Sequence, residues 1–176
     1  MKSTRKLIYA ALMTGIIVIC SWISIPSVVP FTLQTFAVFC ALGFLGWAYG
    51  GLAVAAYILL GAFGLPVFSG FVGGVGHLFG PTGGYIWGFL LSAALYGLVK
   101  KLLGKARFSD FFAMLTGLVG CYAFGTVWFV QVYSGGGDLN YLSALSICVL
   151  PFIIPDLVKI FIACRLVKRI KPHIYK

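Results

Sequence analysis

The stretch "PFIIPDLVKIFIAC", residues 151–164, places an acid and a base three residues apart inside an otherwise apolar run. At that spacing Asp156 and Lys159 share one face of a helix. The carboxylate can accept two or more N–H donors, and the ammonium can donate to a carbonyl or a carboxylate. Such a pair suits recognition of a small polar molecule. The alternative is a self-neutralising ion pair that only locks a helix in place. A packed apolar pair would do that at a lower desolvation cost, which favours recognition.

A second stretch with chemical capacity is "SGFVGGVGHLFGPTGGY", residues 69–85. Glycines such as Gly74 and Gly83 let backbone groups come close to a ligand, since no side chain stands in the way. His77 is a polar loop residue within reach of the same ligand. Tyr85, Trp87, Phe79, Phe31 and Trp22 fall near the same end of the chain's helices. They are placed to wall a pocket or to form an aromatic belt at a membrane surface.

Three other patterns carry no chemistry. "GGVGH" lacks the Lys-Ser/Thr of a phosphate loop and has no β-α unit around it. "GGGD", residues 135–138, fits the Gly-x-Gly-Asp of intramembrane aspartyl proteases, but Asp138 falls in a glycine turn rather than within a span. The five cysteines (Cys20, Cys40, Cys121, Cys148 and Cys164) stand singly, with no CxxC and no metal-ligand spacing. They read as small buried hydrophobes, and neither a metal nor a cofactor is expected.

The elements that must position these groups are membrane helices. Hydrophobic residues make up 61% of the 176 residues, mean hydropathy is +1.07, and no charged residue occurs between Leu7 and Val99. That excludes a soluble domain. The sequence predicts a first helix over residues 7–25, retained rather than cleaved as a signal peptide, then short helices over 33–47 and 50–63, split at "GWAYGG". Helix 4 covers 85–103 and helix 5 covers 109–133. A short segment over 141–149 and helix 6 over 152–171 complete an all-α bundle of six transmembrane helices in a single domain. Pro155 falls in the first turn of helix 6, where proline is tolerated. The Gly/Pro-rich loops 26–32, 65–84 and 134–140 share one side. The loop over 65–84 is too broken to span and too apolar to hang free, so it should pack back into the protein.

The net charge of +10 is gathered near the N-terminus, after helix 4 and at the C-terminus. With six spans these clusters share a side, which the positive-inside rule makes cytoplasmic, with both termini there and the Gly/Pro loops outside. The clusters read as topology and as contacts to a lipid membrane; no nucleic acid is expected. On helix 1, Ala10, Ala11, Thr14 and Gly15 form a strip of small residues that can pack within the bundle or dock a membrane partner.

"IPSVVPFTLQT", "LGAFGLPVFSGFVGGVGHLFGPTGGYIWGF" and "PFIIPDLVK", in that order, resemble the signatures of the BioY family. These are the biotin-binding S components of energy-coupling factor (ECF) transporters. The resemblance implies a biotin pocket near the outer face of a multi-pass protein of a prokaryotic cell membrane. It implies as partners a transmembrane coupling subunit and two cytoplasmic ATPases, which alone would hydrolyse ATP. It carries biotin contact onto Asp156 and Lys159, onto Gly80–Tyr85 with Thr82, Gly83 and Tyr85, and onto Thr32–Thr35 with Gln34. The chain departs from the family pattern at Pro155, where glycine is usual. The helix-1 docking motif Ala-xxx-Ala appears here as Ala11-xxx-Gly15 or Ala10-xxx-Thr14. An S component for another vitamin, a biotin facilitator without partners, and an intramembrane hydrolase are the rival readings.

Overall fold

The computed structural model describes residues 3–104, 106, 108–133 and 140–174. Asp138 and the "GGGD" turn lie outside the described residues. The chain runs α1 (Ser3–Trp22), β1 (Ser24–Ile25), β2 (Phe31–Thr32), α2 (Gln34–Ala62), α3 (Val75–Leu78), α4 (Gly83–Leu103), α5 (Ser109–Tyr133), α6 (Tyr141–Cys148) and α7 (Leu150–Ile174). Four helices (α1, α2, α4 and α5) are long and apolar enough to cross a membrane. The bent pair α6–α7, broken by 44°, makes a fifth candidate. The protein is therefore a multi-pass helical membrane protein, with seven helices among the described residues where the sequence suggested six spans. One small departure from all-α is the ribbon β1–β2, paired antiparallel with Ser24 opposite Thr32.

The element α2 is folded in two, with one helical arm on each side of Gly46. Gly46 sits at φ 79°, ψ 175°, a conformation that residues with a Cβ resist. In a straight helix Gln34 and Tyr57 would stand about 35 Å apart at roughly 1.5 Å per residue. Instead, Gln34 Nε2 donates to Tyr57 Oη at 2.9 Å. Where the arms meet, a Cβ on Gly50 would lie 2.8 Å from Ala41 O. The sequence placed the break within "GWAYGG", and the turn is its first glycine.

The remaining packing follows the same small-residue logic. Gly84 and Gly88 of α4 lie against Trp128 and Cys121 of α5, and Gly125 of α5 lies against the Tyr85 ring. On α1, Thr14 Oγ1 donates to Ala10 O at 3.0 Å and to Ala53 O at 3.1 Å, tying α1 to the second arm of α2. The small-residue strip thus divides. Ala10 and Thr14 are buried against α2, whereas Ala11 and Gly15 are exposed, with open space beside Gly15.

Helix α7 starts at Leu150, so Pro155 lies inside it rather than in the first turn; Pro151 takes the early position. The i→i−4 bond from residue 155 to Pro151 O cannot form, because proline has no N–H. At the far end of α7, Lys171 Nζ donates to Gly43 O at 2.9 Å. That carbonyl precedes the Gly46 turn and has lost its place in a regular ladder. Nearby, Lys100 pairs with Asp110 at 2.8 Å, and Tyr96 donates to the same carboxylate oxygen at 2.8 Å.

Candidate ligand-binding site

The segment between α2 and α4 folds back over the end of the bundle as a cap. Three tryptophans pin it through indole N–H bonds. Trp22 donates to Pro66 O at 2.9 Å, Trp87 to Leu78 O at 3.3 Å, and Trp128 to Gly80 O at 3.1 Å. Ser21 Oγ adds a bond to Val67 O at 2.5 Å. Cap backbone also meets α2 directly, with Gly74 N–H donating to Gly61 O at 2.7 Å. The cap therefore packs into the protein, as its composition required.

Beneath it lies a cavity of about 720 Å3 including its open mouth and the solvent there. Helical spacing explains which side chains face it. On α4, Tyr85, Ile86 and Phe89 continue the line from Thr82; on α5 the residues are Leu118, Cys121 and Tyr122; on α7 they are Phe152, Asp156 and Lys159. Each set repeats at three or four residues, so each helix turns one face inward. Thr32, Gln34, Thr35 and Tyr57 close one side, with Phe68, Ser69 and His77 contributed by the cap.

The charged pair sits in this wall, with Asp156 only 3% and Lys159 only 6% exposed. Lys159 Nζ lies 2.6 Å from Asp156 Oδ1 and 2.7 Å from Thr32 O, the carbonyl that β2 presents. It also stands 4.2 Å from the centroid of the Phe31 ring, which stacks on Phe152. Tyr122 Oη donates to Asp156 Oδ2 at 2.5 Å. Each carboxylate oxygen thus has one partner and can accept another. The ammonium has committed two of its three N–H groups.

Of the residues singled out from sequence, Asp156, Lys159, Tyr85, Thr82, His77 and Gln34 line the cavity. Phe31 stands behind Lys159 instead. Gly83 packs against cap backbone, where a Cβ would meet Leu78 O at 1.9 Å, and Gly74 supplies the φ of 97° that leads into α3. Of the aromatics proposed as walls, only Tyr85 lines the cavity; Trp22, Trp87 and Phe79 hold or decorate the cap. His77 is stacked on Phe68 at 5.3 Å, and burial depresses its pKa below the ordinary 6.5, favouring the neutral ring.

Sequence reasoning missed Tyr122, Tyr57, Cys121 and Cys148. The signal for Tyr122 was its i, i+4 spacing from Leu118, readable only once the cavity-facing side of α5 is known. Tyr57 becomes a site residue through the α2 turn, which brings it to Gln34.

Comparison with known proteins places this architecture. The BioY family matches residues 1–176. "Biotin transporter BioY" of Thermotoga maritima is 45% identical over 169 residues, covering 95% of this chain and 96% of its own. "Probable biotin transporter BioY" of Pyrococcus horikoshii is 39% identical over 143 residues, covering 81% of each. A crystal structure of the S-component for biotin from an ECF-type ABC transporter superposes with a TM-score of 0.87 at 30% identity, covering 97% of this chain and 93% of that one. The chain belongs to the BioY family.

Proposed function

We propose that this protein is the biotin-binding membrane subunit of an ECF-type uptake transporter. It has the role of an S component that captures biotin at the outer face. The observation that carries the reading is the buried Asp156–Lys159 pair, with Tyr122 on its carboxylate, in the wall of the cavity beneath the cap. Biotin's ureido ring offers two N–H donors and one carbonyl. The open acceptor positions of Asp156 suit those donors, and the third N–H of Lys159 suits the carbonyl. Ile86, Phe89, Leu118 and Phe152 give an apolar surface for the rest of the bicyclic head. Gln34, Thr82, Tyr85 and His77 complete the wall, while Gly74, Gly83 and Phe31 act by shaping it.

With the two arms of α2 counted separately and α6–α7 taken as one, the bundle has six membrane-embedded segments. Both termini are then on the cytoplasmic side with the basic clusters. Partners are a membrane coupling subunit, met through the outward Ala11 and Gly15 of α1, and two ATPases that supply the energy of transport. No cofactor belongs to this chain.

The test is biotin binding to the purified protein and to its Asp156→Asn and Lys159→Ala variants. Both variants should bind far more weakly, and wild-type affinity in both would sink the proposal. Tight binding of thiamin or riboflavin instead would reassign the vitamin. Biotin uptake in a host lacking any coupling subunit would favour the facilitator reading.

A further inference from the structure

The cap over the cavity carries a surface that water does not explain. Phe63 is 83% exposed, Phe71 63%, Phe79 59% and Val75 53%. No charged residue lies anywhere near them in sequence, the run from Leu7 to Val99 being free of all four charged types. A loop standing clear of a membrane would not present this concentration of large apolar groups.

Two chains of ring contacts join that surface to the sides of spanning helices. On one side Phe124 of α5 packs on Trp128 at 6.2 Å, and Trp128 on Phe79 at 6.3 Å. On the other, Trp22 of α1 stacks on Phe71 at 5.1 Å. Phe124 is itself 40% exposed on a helix that crosses the bilayer, so the lipid-facing side of α5 continues onto the cap without a polar break.

Backbone and length point the same way. Phe71 has φ 58°, the only positive φ at a non-glycine position among the described residues. A bulky residue in that region is strained, and glycine or asparagine would be usual in a water-facing turn. The second arm of α2, residues 47–62, rises about 24 Å at roughly 1.5 Å per residue. Its start lies level with the N-terminal end of α1, since Lys6 Nζ stands 5.3 Å from the Tyr49 ring centroid and Ser3 reaches Tyr49 Oη at 3.3 Å. An arm of that length ends short of the far side of a hydrocarbon layer about 30 Å thick. The cap that follows is therefore at acyl-chain and headgroup depth.

We infer that the cap, residues 63–79, is embedded in the lipid interface of its leaflet through Phe63, Phe71, Val75 and Phe79. The mouth of the cavity then opens at the bilayer surface rather than above it, with lipid as the occupant of the cap's apolar face. The inference stands independently of which ligand fills the cavity.

Unsubstituted protein in bilayers doped with a phospholipid bearing a diazirine near the top of its acyl chain gives a direct test. Illumination and peptide mapping should find adducts on residues 63–79 as well as on the spanning helices. Adducts confined to the helices overturn the inference. As a second measurement, a nitroxide on Val75→Cys, with the background of the native cysteines subtracted, should be relaxed more by oxygen than by a water-soluble nickel chelate. The reverse order, matching a label on Ser3→Cys, also overturns it.

Discussion

Replacing Lys159 with methionine, which keeps most of the side chain's volume, isolates the energetics of the buried pair. The ammonium lies 2.6 Å from Asp156 Oδ1 and 2.7 Å from Thr32 O, with both charged side chains almost fully buried. Its loss leaves Asp156 with the Tyr122 bond alone and no countercharge. Breaking a buried pair from one side costs about 3–5 kcal/mol. At roughly 2–4 °C per kcal/mol for a chain of this size, the melting temperature should fall by about 6–20 °C. The double variant Asp156→Asn/Lys159→Met removes the stranded charge as well. Its remaining loss is mainly that of the Thr32 carbonyl's partner and the weakened Tyr122 bond, about 1–3 kcal/mol. The double variant should therefore melt above the single one, although neither should bind biotin normally. Thermal unfolding of purified protein, followed by tryptophan fluorescence, reads both values. If the double variant melts at or below the single one, the pair is not held by mutual neutralisation and the reasoning fails.

Three further outcomes follow from the geometry. Tyr122→Phe removes a hydrogen bond to a charged group and should cost about 1.5–3 kcal/mol of stability. The ureido N–H groups then meet a carboxylate that has lost one donor, so biotin should raise the melting temperature of this variant more than that of wild type in a thermal-shift assay. Gly50→Ala should lower the melting temperature, because its Cβ would meet backbone at 2.8 Å, whereas Gly15→Ala, with nothing within 4 Å, should hold or raise it. His77 is held neutral by burial, so its contribution is fully present above its unfolded pKa near 6.5 and is lost as pH falls through the lower folded value. Acidification below pH 6.5 should consequently lower the melting temperature less in His77→Gln than in wild type.

Membrane class, the positions of the long helices and the placement of Asp156 and Lys159 were all legible in the sequence. Each rests on a local property: an uncharged apolar run, a basic flank, or charges isolated in hydrocarbon. Even the division of α2 was readable from "GWAYGG", since three glycines in six residues interrupt an apolar run too long for one span. What could not be read was which residues meet across the bundle. Tyr122 and Asp156 are 34 positions apart, and Lys159 and Thr32 are 127 apart. Nothing in an apolar helix announces that one of its tyrosines faces a carboxylate. The helix-1 strip shows a related limit, because small residues favour close packing without saying against what. Ala10 and Thr14 found α2, and Ala11 and Gly15 did not. Pro155 misled for another reason: Pro151, four residues earlier, already supplied the helix start.

The folded α2 has a bearing on how the protein is made. Neither of its arms, 34–45 or 47–62, has the roughly 20 residues that an independent membrane segment needs. Each is recognisable to the insertion machinery only together with the other, so the two should leave the translocation channel as a unit once Ala62 has been synthesised. The Gln34–Tyr57 bond would then form within the lipid as the closing step of that entry. Gly46 would thus set the size of the smallest piece of this region that the membrane accepts.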